Sequence, residues 1–402
     1  MKNDIKILYL VNNLAFFVSH RLPIALAARD KGYSVNIIVG LPGSQIMEKV
    51  AKKKLKDTNL SYKMCVFRSS SINPFFELIG FMQLMLNVYM TKPSIIHCIS
   101  PKAIIYGGLV ARIIKTKSLI LSVSGMGYAF TNGNSFNIYR WIISTLQLKI
   151  FSIILKHPNI RVIVQNENDR EIFNKLNILD SNNIKVIPGS GIEIKKYKDL
   201  NLSKKEKIVL FPARMLWDKG VKEFIDAAKN IKQIMPEWRF IMAGAADYKQ
   251  PTSVSEKYLN KLCAEQIIDW KGYVEDIVPL YLSASIVCLP SYREGYPKCL
   301  LEAAAAGCAI VTTDTVGCRD SIVPNVSGLL VPIGNSEQLE KAILFLIKNQ
   351  IIRESFGKSG CELAIKKFDI SKVIKETLLI YKDTLEYESI DEIKTTDFNR
   401  NE

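Results

Sequence analysis

Short Ile- and Val-rich runs alternate with segments of helical periodicity, and this pattern occurs twice along the chain. In the first half, strands are predicted at 5–11, 34–39, 95–98, 119–123, 161–165 and 184–187. After the turn-rich Pro188-Gly189-Ser190-Gly191, the pattern restarts with strands predicted at 208–211, 239–243, 285–289, 309–312 and 328–331. Strands that alternate with helices form parallel sheets covered on both faces. The fold class is therefore predicted to be α/β, with two Rossmann-like doubly wound domains that face a cleft.

A chain of 402 residues is too long for one ordinary core, which also favours two domains. We place them at 1–192 and 193–370. Helices are predicted at Ser19–Lys31, where Leu22, Leu26 and Ala27 mark the apolar face, and at 220–233, 336–349, 352–366 and 371–388. The polar tail 389–402 is predicted to be disordered.

Composition narrows the class of protein. The chain is 48% hydrophobic and 23% charged, as in folded soluble proteins, and has neither a secretory signal nor an apolar run of transmembrane length. Its eight cysteines are scattered without a C-x-x-C pair, which favours reduced thiols in a cytoplasm. Its three histidines lack ligand-like spacing to a cysteine, so no metal site is expected.

The net charge of +15 lies in the first half. Residues 1–200 contain 27 Lys and Arg against 11 Asp and Glu, whereas residues 201–402 contain 27 against 28. No acidic residue occurs between Glu77 and Glu167, while nine basic residues do. Such a segment suits an anionic membrane surface or a polyphosphate ligand, although a general basic bias of the source proteome would also explain it.

The stretch Ser291 to Glu302 follows a predicted strand and leads into a short helix. Ligands of open α/β sheets bind at the carboxyl ends of the strands. Pro297 suits the first helical turn, and free N–H groups around Lys298, Cys299 and Leu300 would hold phosphate. Glu294 in the loop and Glu302 in the helix would accept hydrogen bonds from hydroxyl groups on either side, or else Glu294 only stabilises the helix dipole and Glu302 is a solvated helix position.

A second loop, Phe211 to Gly220, also follows a strand and precedes a helix. Arg214 can bind phosphate bidentately and Lys219 as a point charge. Together with Glu294 and Glu302, these cations make a site for a nucleoside diphosphate that carries a sugar.

These residues resemble glycosyltransferase family 4, which has the GT-B fold. The resemblance lies in Arg214 with Lys219, in Arg-Glu-Gly-Tyr-Pro-Lys-Cys-Leu-Leu-Glu-Ala at 293–303, and in the Thr312-Thr313-Asp314 and Gly317-Cys318-Arg319-Asp320 segments. The N-terminal Phe17-Val18-Ser19-His20-Arg21-Leu22-Pro23 is similar to bacterial members that build O-antigen or capsule repeats. In this family the last helix returns to the first domain, and 371–388 is the candidate.

The resemblance implies retaining transfer of a sugar from a nucleotide sugar, UDP-HexNAc or UDP-hexose, without a metal or other cofactor. Arg214 and Lys219 would neutralise the leaving diphosphate, Glu294 would contact the donor sugar and Glu302 the ribose. The catalytic residues are thus Arg214, Lys219 and Glu294. The donor-binding set adds Gly272, Tyr273 and Val274 near the base, and Gly295, Tyr296, Pro297, Lys298, Leu300 and Glu302.

Acceptor-side candidates lie near the N-terminus: Asn12, Asn13, His20 and Arg21. Asn12-Asn13 stands where many relatives carry a glycine pair, and no histidine follows the strand at 119–123. His20 is the histidine to test, unless it only packs on Phe16 or Phe17. His97, in an apolar run, is expected to be a core residue.

The basic first half suggests a polyprenyl-diphosphate-linked sugar acceptor and a cytoplasmic protein held peripherally at the inner face of the membrane. The segment 136–156 is predicted to be an interfacial helix or a buried crossover helix, and residues 60–90, with Phe67, Arg68, Phe75, Phe76 and Phe81, are another attachment candidate. Alternative functions are a nucleotide-sugar epimerase on the same fold and a non-enzymatic membrane or nucleic-acid binder, although no nucleic-acid partner is expected. A nicotinamide oxidoreductase is disfavoured because no G-x-G-x-x-G follows the first strand.

Overall fold

The computed structural model describes residues 5–67, 73–123, 149–197, 205–247 and 250–398, with the backbone alone at Pro74, Leu176 and 387–398. The chain divides into two compact units. Unit 1 comprises Met1–Ile187 with Val373–Glu402, and unit 2 comprises Pro188–Lys372. The boundary therefore lies at 187 and 188, a few residues before the predicted 192.

Unit 1 contains a seven-stranded sheet in the order β3-β2-β1-β4-β5-β6-β7, and every pair of neighbours is parallel. The strands are β1 Lys6–Val11, β2 Ser34–Val39, β3 Tyr62–Met64, β4 Ile95–Ile99, β5 Ser118–Val123, β6 Ile160–Val164 and β7 Ile184–Val186. The edge strand β3 was not predicted, because its three residues are largely exposed and form no apolar run.

Helices cover both faces of this sheet. They are α1 Leu14–His20, α2 Leu22–Asp30, α3 Gln45–Lys56, α4 Pro74–Thr91, α5 Pro101–Ile114 and α6 Glu167–Leu176, with a further helical segment at 149–155. The predicted Ser19–Lys31 helix is wrong in two respects. The chain forms two helices separated at Arg21, and the second one buries Ile24, Ala25 and Ala28 rather than the predicted face.

Unit 2 contains a six-stranded parallel sheet in the order β10-β9-β8-β11-β12-β13. The strands are β8 Glu206–Phe211, β9 Arg239–Met242, β10 Asp269–Trp270, β11 Ala284–Leu289, β12 Ala309–Thr313 and β13 Gly328–Val331. Its helices are α7 Val221–Ile234, α8 Glu256–Ala264, α9 Val278–Ser283, α10 Lys298–Ala305, α11 Val316–Arg319, α12 Ser336–Lys348 and α13 Gln350–Leu363, followed by a π-helical turn at Ala364–Phe368. The prediction of two doubly wound α/β units is confirmed.

The last helix, α14, spans Ile370–Phe398 and so extends ten residues past its predicted end. Residues 389–398 were assigned to a disordered tail, but polar residues such as Glu, Asp and Lys do not stop a helix. Within unit 1, Tyr381 of α14 packs against Tyr9 and His97, and the Thr384 carbonyl accepts a hydrogen bond of 2.8 Å from the Asn159 amide.

Candidate active site

The strand order of unit 2 places a switch point between β8 and β11. The chain leaves β8 toward β9 and β10 on one side and leaves β11 toward β12 and β13 on the other. A crevice opens outside the carboxyl ends of the two strands at such a point, where ligands of open α/β sheets bind. The two loops singled out from the sequence, 212–220 and 290–297, both begin at these strand ends.

The first loop carries the cations. It contains a turn of 3₁₀ helix at Trp217–Lys219 and ends at Gly220, whose φ of +79° and close approach to the Pro290 carbonyl require a residue without a Cβ atom. Arg214 is about half exposed, and one of its terminal nitrogens lies 3.3 Å from Oδ2 of Asp247, in an ion pair that was not predicted.

The second loop, 291–296, is anchored on the first. The hydroxyl of Ser291 and the N–H of Tyr292 both donate to the Asp218 carbonyl, at 3.2 Å and 3.0 Å. The Tyr292 hydroxyl donates to Oε1 of Glu223 on α7 at 2.7 Å, and the Thr313 hydroxyl donates to the Ser291 carbonyl. These bonds hold the two loops in a fixed register.

Because the two loops are held together, Lys219 of the first and Glu294 of the second form an ion pair. Nζ of Lys219 lies 2.6 Å from Oε1 of Glu294, and the two side chains are only 17% and 16% exposed. These residues stand 75 positions apart in sequence and meet because β8 and β11 are neighbours. The structure thus brings together two of the three predicted catalytic residues, in direct contact with each other.

The start of α10 differs from the prediction. Pro297 lies at the N-cap, one position before the helix, and its carbonyl accepts a 2.9 Å hydrogen bond from the Leu300 N–H. The Leu300 side chain is fully buried in the core. The prediction that Leu300 offers a free N–H to phosphate is therefore wrong, because the first turn closes tightly and uses that donor.

Glu302 lies on α10, with its side chain 18% exposed and one oxygen 3.7 Å from Nζ of Lys298. Burial raises the pKa of Glu302, while Lys298, Tyr281 and Lys196 act in the opposite direction. This environment excludes the interpretation of Glu302 as a solvated helix position. A mostly buried carboxyl beside one lysine can accept hydrogen bonds from neutral hydroxyl groups.

Gly295 and Tyr296 complete the second loop. Gly317 of α11 packs so closely on this loop that a Cβ atom there would lie 2.2 Å from the Gly295 carbonyl oxygen. The Tyr296 ring packs edge-on against Phe368 at 5.9 Å, and its hydroxyl donates to the Asp320 carbonyl at 2.8 Å. The Tyr296 side chain therefore anchors the loop.

The predicted base-side residues lie in the loop after β10. Gly272 has a φ of +63°, and its carbonyl accepts a 2.8 Å hydrogen bond from the Gly244 N–H, which ties this loop to the end of β9. Tyr273 is half-buried, and burial raises its pKa. Val274 packs against the hydrophobic core.

The acceptor-side candidates lie in unit 1, at the end of β1 and in the helices that follow. The Asn13 side chain caps α1 by accepting a 2.8 Å hydrogen bond from the Phe16 N–H. His20 stacks on Phe16 with ring centroids 4.3 Å apart, as the packing alternative expected. Arg21 is buried, and burial lowers its pKa. Among the described residues, Arg21 Nε and Asn12 Oδ1 are buried without a hydrogen-bond partner.

His97 is a core residue, as predicted. It is buried and hydrogen-bonded to the hydroxyls of Tyr381 and Ser122, both at 2.7 Å. Burial and the nearby Arg21 charge lower the pKa of His97 well below its usual value. The loop after β5 and residues 136–148 of the predicted interfacial helix lie outside the described residues, as does Arg68.

Three residues that organise the site were missed from the sequence: Glu223, Asp247 and Tyr292. Tyr292 lies in the stretch Ser291 to Glu302 that was assigned to ligand binding, so it could have been included in the site from the sequence. Glu223 and Asp247 carried none, because their partners lie 69 and 33 positions away.

Comparison with known proteins identifies the family of this chain. Residues 193–362 match the model "Glycosyl transferases group 1", and residues 6–157 match "Glycosyl transferase 4-like". The chain is 30% identical over 376 residues, 90% of its length and 94% of the relative's, to the N,N'-diacetylbacillosaminyl-diphospho-undecaprenol alpha-1,3-N-acetylgalactosaminyltransferase of Campylobacter jejuni. It is 22% identical, over 73% of its length and 76% of the relative's, to the UDP-Gal:alpha-D-GlcNAc-diphosphoundecaprenol alpha-1,3-galactosyltransferase of Escherichia coli.

Its fold is similar to that of Anabaena Alr3699/HepE, solved in complex with UDP and glucose, with a TM-score of 0.73, 17% identity and coverage of 94% of this chain and 100% of the other. The full-length similarity to a sugar transferase, together with the two family matches, excludes the nicotinamide oxidoreductase and non-enzymatic alternatives. The chain therefore belongs to glycosyltransferase family 4 and is a glycosyltransferase of the GT-B fold.

Proposed function

We propose that the protein transfers a hexose or N-acetylhexosamine from a UDP-sugar to a sugar carried on undecaprenyl diphosphate, with retention of configuration and without a metal ion. The Campylobacter jejuni and Escherichia coli relatives support the acceptor class, because both names specify a diphospho-undecaprenol sugar. The second name specifies UDP-Gal, and both specify alpha linkages.

The observation that carries the proposal is the Lys219–Glu294 ion pair at the switch point of unit 2. An ammonium group that is mostly removed from water interacts strongly with charge that develops on a leaving diphosphate. Lys219 is held at this position by Gly220 and the turn before it, so it need not be reorganised during transfer. Arg214, half exposed at the edge of the same loop, adds a second cation.

Glu294 and Glu302 then have different tasks. In the unliganded chain Glu294 neutralises Lys219; when the diphosphate takes over Lys219, Glu294 is released to accept hydrogen bonds from the hydroxyls of the donor sugar. Glu302, deeper in α10 and beside Lys298, accepts hydrogen bonds from the ribose. Leaving-group stabilisation by two cations is what makes a metal ion unnecessary in this proposal.

The test is UDP release from a panel of UDP-hexoses and UDP-N-acetylhexosamines in the presence of undecaprenyl-diphosphate-linked sugars. We expect one donor to react, the product to have the alpha configuration by NMR, and chelators to leave the rate unchanged. Lys219→Gln should lose transfer while Lys222→Gln, an exposed lysine on α7, keeps it. Accumulation of an epimerised UDP-sugar without acceptor, or strict dependence on added metal, would contradict the proposal.

A peripheral position at the inner face of an anionic membrane is part of the same proposal, because an acceptor of this class is anchored there by its lipid. It is supported by the charge asymmetry of the chain, with 27 basic against 11 acidic residues in the first 200.

A further inference from the structure

The sheet of unit 1 has a switch point of its own, between β1 and β4. The chain leaves β1 toward β2 and β3 on one side and leaves β4 toward β5, β6 and β7 on the other. A crevice forms outside the carboxyl ends of two strands at such a point. The residues that follow these two strands are Asn12, after β1, and Ser100, after β4. Asn12 was predicted from the sequence to lie on the acceptor side, whereas no role was predicted for Ser100.

Ser100 has a backbone conformation that serine rarely adopts. Its φ is +83° and its ψ is 149°, in a region that is occupied almost only by glycine. The other described non-glycine residues with positive φ have values of 46° to 60°, as in the ordinary left-handed conformation. Residues held in strained conformations cluster at functional sites, because elsewhere a glycine would give the same backbone without the strain.

The surroundings of Ser100 hold it in this conformation. Its carbonyl accepts a 2.9 Å hydrogen bond from the Ile104 N–H and so starts α5, and Pro101 fixes the first φ of that helix. Lys102, in the first turn of α5, forms a 2.8 Å ion pair with Glu77 of α4. Ser100 is only 6% exposed, so it cannot relax without a movement of the start of α5.

The hydroxyl of Ser100 joins the ends of the two strands. Its oxygen accepts a hydrogen bond of 3.3 Å from the Asn12 N–H, and the hydroxyl donates to the Ile99 carbonyl. Asn12 and Ser100 stand 88 positions apart in sequence and meet because β1 and β4 are neighbours. A glycine at position 100 would adopt the same backbone without strain, but it would leave the Asn12 N–H without this acceptor. What the serine adds at this position is therefore the link to Asn12.

Asn12 carries a side-chain oxygen that the chain itself does not use. Asn12 Oδ1 is buried without a hydrogen-bond partner among the described residues, although Asn12 as a whole is only partly buried. Leaving a buried acceptor unpaired is unfavourable, and most such groups in proteins are paired. An amide at a switch point can satisfy this oxygen with an O–H or N–H group of a bound ligand.

We propose that Ser100 is a positioning residue for the acceptor: its hydroxyl fixes the backbone of Asn12, so that the Asn12 amide meets a hydroxyl or acetamido N–H of the acceptor sugar. The inference rests on the proposed function, because it names the residue that positions a contact to the acceptor of that reaction. Ser100 itself does not touch the sugar. The strain at Ser100 is retained because the hydroxyl contributes to acceptor binding and not to stability.

The first test separates the strain from the hydroxyl. Ser100→Ala and Ser100→Gly both remove the hydroxyl, but only glycine adopts a φ of +83° freely. Ser100→Gly should therefore melt at least about 2 °C higher than Ser100→Ala in differential scanning calorimetry. A glycine variant that melts at or below the alanine variant would show that the backbone is not strained and would overturn the proposal.

The second test is the KM of the acceptor. Transfer is measured with a short-tailed polyprenyl-diphosphate sugar, so that the readout does not depend on a membrane; among the described helices, none is long and apolar enough to span one. Both Ser100 variants should raise the acceptor KM about three- to tenfold, the effect of one hydrogen bond. The Kd for UDP should stay within about twofold, because the donor residues lie in unit 2.

The matched control is Asn59→Gly. Asn59 is another residue of unit 1 with positive φ, in the exposed loop before β3, and its substitution should leave the acceptor KM unchanged. An acceptor KM in Ser100→Ala within about twofold of the unmodified protein would overturn the proposal. The glycine variant, which keeps the backbone conformation, carries this test if the alanine variant does not fold.

A double-mutant cycle shows whether Ser100 acts through Asn12. Asn12→Ala should raise the acceptor KM, and adding Ser100→Ala to it should change the KM by less than about twofold, because the amide that the hydroxyl positions is already gone. Full additivity of the two substitutions would mean that Ser100 acts on another group and would overturn the proposal.

These measurements distinguish the inference from the proposed function. An unmodified protein that transfers to lipid-linked sugars, together with Ser100 variants of unchanged acceptor KM, refutes the inference alone. An unmodified protein that transfers to none of these acceptors refutes the proposed function and, with it, the role of Ser100 in acceptor binding.

Discussion

The Lys219–Glu294 ion pair makes opposite predictions for its two members. If the diphosphate must take Lys219 away from Glu294, then Glu294→Gln removes the competitor and should strengthen UDP binding. Lys219→Met removes the cation and should weaken it. The charge-assisted hydrogen bond between Lys219 and Glu294 is 2.6 Å long, joins side chains that are 17% and 16% exposed, and stabilises the pair by about 1.5–3 kcal/mol. With Gln at position 294 the lysine would keep a hydrogen bond to a neutral acceptor, which contributes about 1 kcal/mol.

The difference, on the order of 1 kcal/mol, corresponds to UDP binding about three- to tenfold tighter in Glu294→Gln. Lys219→Met should bind UDP at least about tenfold more weakly, and both variants should lose about 100-fold or more in transfer. The two variants should therefore change UDP affinity in opposite directions while both lower the rate of transfer. If Lys219 and Glu294 instead contacted the ligand independently, both variants would weaken UDP binding.

Isothermal titration calorimetry with UDP measures the binding affinity. UDP release from the UDP-sugar that reacts in the panel measures the rate of transfer. Lys222→Gln is the control, because Lys222 lies on α7 in an exposed pair with Asp226. Its UDP affinity and transfer rate should stay within about twofold of the unmodified protein. A Glu294→Gln variant that binds UDP as poorly as Lys219→Met would refute the exchange of partners.

Three further predictions concern the frame around this pair. Gly317→Ala should lower both the melting temperature and transfer, since its Cβ would collide with backbone carbonyls of the 291–296 loop, whereas Gly360→Ala, with ordinary 3.5 Å contacts, should leave both unchanged or slightly improved. Tyr292→Phe should cost about 1–3 kcal/mol in urea unfolding, because it leaves the buried Glu223 carboxylate without this donor. Burial raises the pKa of Glu302, so ionisation of this carboxyl destabilises the folded state as pH rises above 4.5. The Glu302→Gln variant does not ionise, so its unfolding free energy minus that of the unmodified protein should rise from pH 4 to pH 7. A difference that does not vary with pH would contradict this prediction.

The strands were predictable because a parallel strand buried on both faces is a continuous apolar run. Nearly all of β1, β4 and β11 is buried, and no predicted bound of these strands differs from the observed one by more than one residue. The strands that were missed, β3 and β10, are edge strands of three and two residues whose side chains are mostly half-buried or exposed. The other two edge strands, β7 and β13, were predicted because they do contain apolar runs, so β3 and β10 were missed for their short length and polar composition.

The candidate site was predictable in its residue types but not in its contacts. Strand ends followed by Arg, Lys and Glu indicated where ligand-binding side chains would gather. That Lys219 meets Glu294, and that Arg214 instead meets Asp247, depends on the order of β8, β9 and β11 in the sheet. The failed assignment of Leu300 has a similar origin, because whether a helix begins with a tight turn depends on φ and ψ at Pro297.

Helix α4, Pro74–Thr91, shows a third case, in which the sequence singled out the region 60–90 and only the structure shows which side chains are exposed. A helix of 18 residues with one charged side chain is normally buried on all sides. Five side chains of α4 are instead 51% to 67% exposed, although burying each of them would stabilise the fold by about 1.5–3 kcal/mol: Phe75, Leu78, Met82, Leu86 and Tyr89. The described part of the fold therefore does not account for apolar residues at these positions, and neither periodicity nor composition could have shown which of them stay exposed.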